Sequence, residues 1–116
     1  MQIVMSKIEL FMLFYYYIEA KNQMNPNQKV TDYLKRADPF RFTDLGSADK
    51  RIYVEFDLMI GDSPVIEADY GYYLIIKYLR KKQMPELIQL FSEITMNEWK
   101  EVAKIYLSQP HKGMNG

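Results

Sequence analysis

The sequence predicts a mainly α, compact single domain of about five helices with one β-hairpin at roughly 51–70; the alternative is an all-α helical bundle. Three observations carry this. Apolar residues recur at helical spacing through the first and last thirds of the chain. Two Ser/Thr-x-x-Glu signatures mark helix starts. Only the middle of the chain alternates with the period of a strand. At 116 residues there is room for one domain, 1–116, and 48% hydrophobic residues suffice for its core. Residues 1–5 and 109–116 read as flexible ends. Met5-Ser6-Lys7 resembles an alternative start, which would make residues 1–4 dispensable.

The first helix opens at a capping box, Ser6 and Glu9. Ile8, Phe11, Met12, Tyr15 and Ile18 share one face, while Leu10, Leu13, Phe14 and Tyr17 make the remaining faces apolar. A helix apolar all round belongs at the centre of a fold or beneath a partner. It ends near Asn22–Met24, before the turn signature Asn25-Pro26-Asn27. A short second helix is expected at about Thr31–Ala37, with Val30, Leu34 and Ala37 inward. Asp38-Pro39 stops it, because proline pushes its predecessor out of the α region. Phe40 to Gly46 reads as a connector, with Phe40 and Phe42 as apolar plugs beneath it.

Residues 51–70 fit two readings. Ile52, Val54, Phe56, Leu58 and Ile60 alternate with Arg51, Tyr53, Glu55, Asp57 and Met59, and Gly61-Asp62-Ser63-Pro64 would turn the chain into a second strand. The same stretch supports helix–turn–helix, since Ile52, Phe56, Met59 and Ile60 also share a helical face and Ser63-Pro64 resembles an N-cap followed by proline. The β-branched and aromatic residues at 52–56 favour the hairpin. Tyr72–Lys82 is then helical, with Tyr72, Ile75, Ile76 and Leu79 on one face. Pro85 opens a helix that buries Leu87, Leu90, Phe91 and Ile94. Thr95 and Glu98 form a second capping box, followed by the stripe Trp99, Val102, Ala103 and Tyr106. Pro110 ends that helix, and Lys112 to Gly116 should fray.

Composition narrows the chemistry. Without cysteine there are no disulfides, thiol nucleophiles or Cys-based zinc sites, and a reducing, cytoplasmic setting is expected. The single histidine, His111, lies in a polar tail, which excludes a multi-histidine metal site within one chain. No Walker sequence, dinucleotide fingerprint, serine elbow or metal-binding helix pair occurs. Catalytic residues, cofactors and metal are therefore all expected to be none. The longest apolar run, Leu10 to Ile18, is about half of what a membrane span needs, so no membrane association is expected. Lysine outnumbers arginine eleven to four, and Ile, Tyr and Asn are plentiful, a bias of A+T-rich bacterial or phage genomes.

Two charged groups stand out although the net charge is zero. Glu55, Asp57, Glu67 and Asp69 would share the outer face of a hairpin, where like charges repel and a compensating cation is wanted. That face reads as a basic-partner surface, a divalent-metal site, or a solvated face partly neutralised by Lys77, Arg80 and Lys81. The second group, Lys77, Arg80, Lys81 and Lys82, would bind phosphate in a nucleic-acid reader, although basic residues in a last helical turn also complement the helix dipole. A zero net charge argues against strong non-specific nucleic-acid binding. Ten tyrosines and eight methionines suit adaptable interfaces. The sequence thus predicts a non-enzymatic protein–protein interaction module (an adaptor, inhibitor or immunity-type protein) whose partner is another protein, with homo-oligomers open. Its partner-binding residues would be Glu55, Asp57, Glu67 and Asp69. The alternative is a small nucleic-acid-binding domain with a helical body and a β-hairpin wing.

Overall fold

The computed structural model describes residues 3–37, 50–62 and 65–108. Its elements run β1 (Val4–Met5), α1 (Lys7–Met24), α2 (Gln28–Ala37), α3 (Lys50–Ile60), β2 (Ile66–Glu67), α4 (Ala68–Lys82), α5 (Pro85–Ser92) and α6 (Met96–Leu107). The domain is mainly α, as the periodicity implies.

Helix α1 is the centre. The capping box forms in full: the Glu9 amide donates to Ser6 Oγ at 3.2 Å, and the Ser6 amide donates to Glu9 Oε1 at 2.8 Å. Leu10 to Tyr15, Tyr17 and Ile18 are all buried, so the helix is covered on every side. Its aromatic rings interlock with the surrounding elements. Phe11 meets Phe56 of α3 at 5.0 Å, and Phe14 meets Phe91 of α5 at 5.9 Å, both edge-on. Tyr17 stacks on Trp99 of α6 at 5.9 Å. Edge-to-face and offset pairs of this kind add stability beyond the area they bury.

Buried polar groups pin the joints. Asn22 donates to Thr31 Oγ1 and accepts from the Asn27 amide, each at 2.9 Å. Asn27 Oδ1 in turn accepts from the amides of Lys29 and Val30, so it caps α2. That cap moves the start of α2 to Gln28, ahead of the expected Thr31. Trp99 Nε1 donates to the Ala68 carbonyl at 2.8 Å, tying α6 to the first turn of α4. At α6 only the threonine half of the expected capping box is present: the Glu98 amide donates to Thr95 Oγ1. The Glu98 carboxylate lies 3.8 Å from Lys21 Nζ instead.

The hairpin at 51–70 is corrected. Residues 50–60 are helical, and the two strands β1 and β2 pair antiparallel across the sequence, Val4 with Glu67 and Met5 with Ile66. Ile52, Phe56 and Ile60 are buried against α1 and α4, whereas Val54 and Leu58, which a strand would bury beside them, are 38% and 76% exposed. Phe56 sits between Phe11 and Tyr78, and a helix brings Ile52, Phe56 and Ile60 to that face while turning Val54 and Leu58 away from it. Tertiary packing overrides the local β preference. Gly61, with φ at +85°, closes the helix, and the chain bends at Asp62. Helix α4 starts four residues before the expected Tyr72. Residues 3–5, expected in a flexible end, are instead tied down: Met5 is 3% exposed, and the Ala68 amide donates to the Ile3 carbonyl. The plugs Phe40 and Phe42, the Ser63-Pro64 step, residues 1–2 and the tail from Gln109, with His111 and Pro110, lie outside the described residues.

Two core tyrosines, Tyr33 of α2 and Tyr78 of α4, share a hydrogen bond between their hydroxyls at 3.0 Å. Burial pushes Tyr78 up to about 12, and burial with the Tyr78 hydroxyl beside it holds Tyr33 well above the ordinary tyrosine value.

Two predictions follow from this core. Phe11→Ala should cost about 3–5 kcal/mol, read by chemical denaturation, because its cavity lies between three elements; a variant within a few tenths of wild type would place α1 at the periphery. The tyrosine pair predicts a loss of stability in alkali. Its neutral form is favoured in the folded state, so an unfolded chain binds fewer protons once pH passes the ordinary tyrosine value of 10.0. The contribution is intact below that pH and falls as pH rises through about 12. Denaturant titrations across this range should show a shallower fall for the Tyr33→Phe/Tyr78→Phe variant; equal slopes would remove the pair as the source.

Candidate functional site

The helical middle of the chain disperses the acidic group. At 100° per residue, Glu55 and Asp57 project from nearly opposite sides of α3. Glu55 accepts from Lys82 Nζ of α4 at 2.8 Å. Asp57 pairs with Lys7, whose Nζ also donates to the Gly61 carbonyl at 2.7 Å and so closes the end of α3 onto the start of α1. Glu67 is exposed in β2, and Asp69 stands in the first turn of α4, where a carboxylate complements the helix dipole. The four carboxylates do not converge. Among the described residues no group of three or more acidic or histidine side chains could hold a metal ion.

The basic group divides. Lys82 is consumed by Glu55, whereas Lys77, Arg80 and Lys81 are exposed and make no ion pair among the described residues. The buried side of α4 is Ala68, Gly71, Leu74, Ile75, Tyr78 and Leu79. The opposite side, an arc of roughly 100°, carries Tyr70, Tyr73, Lys77, Arg80 and Lys81. Tyr70 is 58% exposed and Tyr73 63%. The stripe runs about 16 Å at 1.5 Å per residue, and places two aromatic side chains beside three exposed cations. Sequence reasoning missed Tyr70 because residues 65–70 read as a strand, which detached it from the helix; Tyr73 lay within the expected Tyr72–Lys82 helix but was not placed on its basic face. The spacing Tyr70-x₂-Tyr73-x₃-Lys77-x₂-Arg80 was the available signal.

Beside this stripe lies a groove between α3 and α4 of about 360 Å³, lined by Glu55, Leu58, Met59, Tyr78, Lys81 and Lys82. Lys81 borders both. On the far side of the Glu55–Lys82 pair a smaller hollow of about 180 Å³ is bordered by Arg36, Arg51 and Ile52. A third depression, about 380 Å³, is lined by Ile3, Asn97, Lys100, Glu101 and Lys104. Its charges alternate in sign, which favours no single ligand class. No helix among the described residues is long and apolar enough to cross a membrane.

The dispersal of the carboxylates gives a direct test. Titration calorimetry with Mg²⁺, Mn²⁺ and Ca²⁺ should show no binding tighter than about millimolar, since isolated carboxylates lack the several oxygen ligands these ions take; a micromolar site would overturn the assignment. No family model matches the chain, and no curated protein or solved structure matches it.

Proposed function

We propose that the protein is a non-enzymatic interaction module that docks another protein through the outer face of α4. One observation carries the reading: Lys77, Arg80 and Lys81 make no ion pair among the described residues and stand on the same exposed side as Tyr70 and Tyr73, while Glu55 and Asp57 are already neutralised within the chain. Tyrosine supplies rigid contact area and a hydroxyl, and arginine with tyrosine is enriched at interface centres. The three exposed cations select an acidic partner surface and speed its approach. This moves the docking surface from the acidic residues, whose common face depended on a hairpin, to the basic ones.

A second reading draws on the same stripe, since tyrosine faces can stack bases and lysines can follow a phosphate backbone. The hairpin wing that would have supported it is absent among the described residues, where 50–60 is helical. The zero net charge also weakens it, because phosphate contacts dominate nucleic-acid affinity.

The test reverses the stripe. With a partner recovered from the native host, Lys77→Glu/Arg80→Glu/Lys81→Glu should weaken binding about tenfold or more, mostly through slower association, measured by biolayer interferometry. Glu55→Lys/Asp57→Lys should change it far less once circular dichroism shows both variants folded. A labelled single-stranded oligonucleotide at physiological salt should give no anisotropy change. Micromolar oligonucleotide binding with a steep salt dependence would transfer the assignment to nucleic acid.

A further inference from the structure

Three basic side chains that are far apart in the sequence meet in the hollow of about 180 Å³ beyond the Glu55–Lys82 pair. Arg36 comes from the last turn of α2, Arg51 from the first turn of α3, and Lys82 is the last residue of α4. Among the described residues Glu55 is the one carboxylate that lines the hollow, and it accepts from Lys82 Nζ at 2.8 Å. Arg36 makes no ion pair among the described residues. Burial raises Tyr33 and Tyr78 above the ordinary tyrosine value, and the Arg36 charge opposes that rise at both hydroxyls. The guanidinium therefore lies toward α4 and the buried tyrosine pair, although Arg36 is an exposed residue.

Helix-dipole complementarity does not account for this convergence. Lys35 serves the last turn of α2, and Arg80 and Lys81 serve that of α4, without any of them lining the hollow. Like charges gathered in one place repel, and an anion set among them removes that cost. The first turn of α3 adds the positive end of a helix dipole. Size excludes larger ligands, since small-molecule pockets start near about 300 Å³. Geometry then selects among small anions. A carboxylate offers two oxygens in one plane, whereas a phosphate group offers at least three and carries roughly two negative charges. Three cationic donors arriving from three helices match the phosphate.

We propose that this hollow binds a single phosphate-type dianion, held by the Arg36 and Arg51 guanidiniums, with Lys82 shared between the ion and Glu55. Inorganic phosphate and the phosphate group of a monoester present the same chemistry to these donors. The site is separate from the α4 docking face and does not rest on it.

The experiment is titration calorimetry of the full-length chain with inorganic phosphate and with O-phosphoserine, at an ionic strength held constant with sodium chloride. A thermal melt without ligand checks that each variant is folded. At least one of the two ligands should bind with a Kd of about a millimolar or tighter. Arg36→Gln and Arg51→Gln should each weaken it about tenfold, the scale of a lost charge-assisted hydrogen bond. Glu55→Gln should tighten it by releasing Lys82. Lys35→Gln, next to Arg36 but outside the hollow, should leave it unchanged. Binding of phosphate but not of O-phosphoserine assigns the site to the free ion, and binding of O-phosphoserine assigns it to a phosphomonoester. No saturable heat from either ligand, or equal binding by wild type and Arg36→Gln, would overturn the site. Binding that survives Arg36→Gln but is lost with Lys77→Glu/Arg80→Glu/Lys81→Glu would move the anion to the α4 face and overturn it as well.

Discussion

A helix whose central nine residues, Leu10 to Ile18, are apolar on every face must be enclosed there, and the rest of this fold is the enclosure. An amphipathic helix needs one apolar neighbour, but α1 needs contacts around its whole circumference. The chain provides them by laying α2, α3 and α5 directly against it and closing the remaining side with α4 and α6 through Tyr78 and Trp99. The aromatic content has its structural explanation here. Flat rings fill the space between the helices, and edge-to-face contacts let one ring serve two neighbours, as Phe56 does for Phe11 and Tyr78.

Few polar groups are needed to position the shell, and each secures a corner rather than a face. Asn22 fixes the α1–α2 turn, Lys7 joins the end of α3 to the start of α1, and Trp99 Nε1 holds α6 at the head of α4. The Tyr17 hydroxyl is the exception. It is buried without a well-placed hydrogen-bond partner among the described residues, and burial together with the nearby Glu98 carboxylate pushes its pKa upward. Its ring earns its place by stacking on Trp99.

Most of the fold was legible because caps and apolar spacing agreed with each other: Ser6, Thr95 and Pro85 mark helix starts, and Leu87, Phe91, Trp99 and Ala103 are buried as their spacing requires. Residues 51–60 were not, since alternation and helical spacing both fit the same letters. The tie is broken by Phe11 and Tyr78, which lie elsewhere in the sequence and whose positions no local window contains. The error then spread to the site. A period of two puts Glu55 and Asp57 on one face, whereas a helix separates them by about 200° and hands each to its own lysine. Lys77, Arg80 and Lys81 fall on one helix as their spacing implies, but the extension of α4 back to Ala68, which adds Tyr70 to them, follows the short strand β2 that pairs with β1.

That α1 comes first in the chain and is covered by what comes later has a consequence for biosynthesis. Its nine-residue apolar run leaves the ribosome before any of its cover exists, and α6 follows some eighty residues behind. At about 5–20 residues per second, the helix waits on the order of 4–17 s for its last neighbour. Strand β1 waits as well, since β2 lies about sixty residues downstream. During that interval the nascent chain carries an apolar segment whose cover is not yet made, the kind of transiently exposed surface that leaves an incomplete chain prone to aggregation.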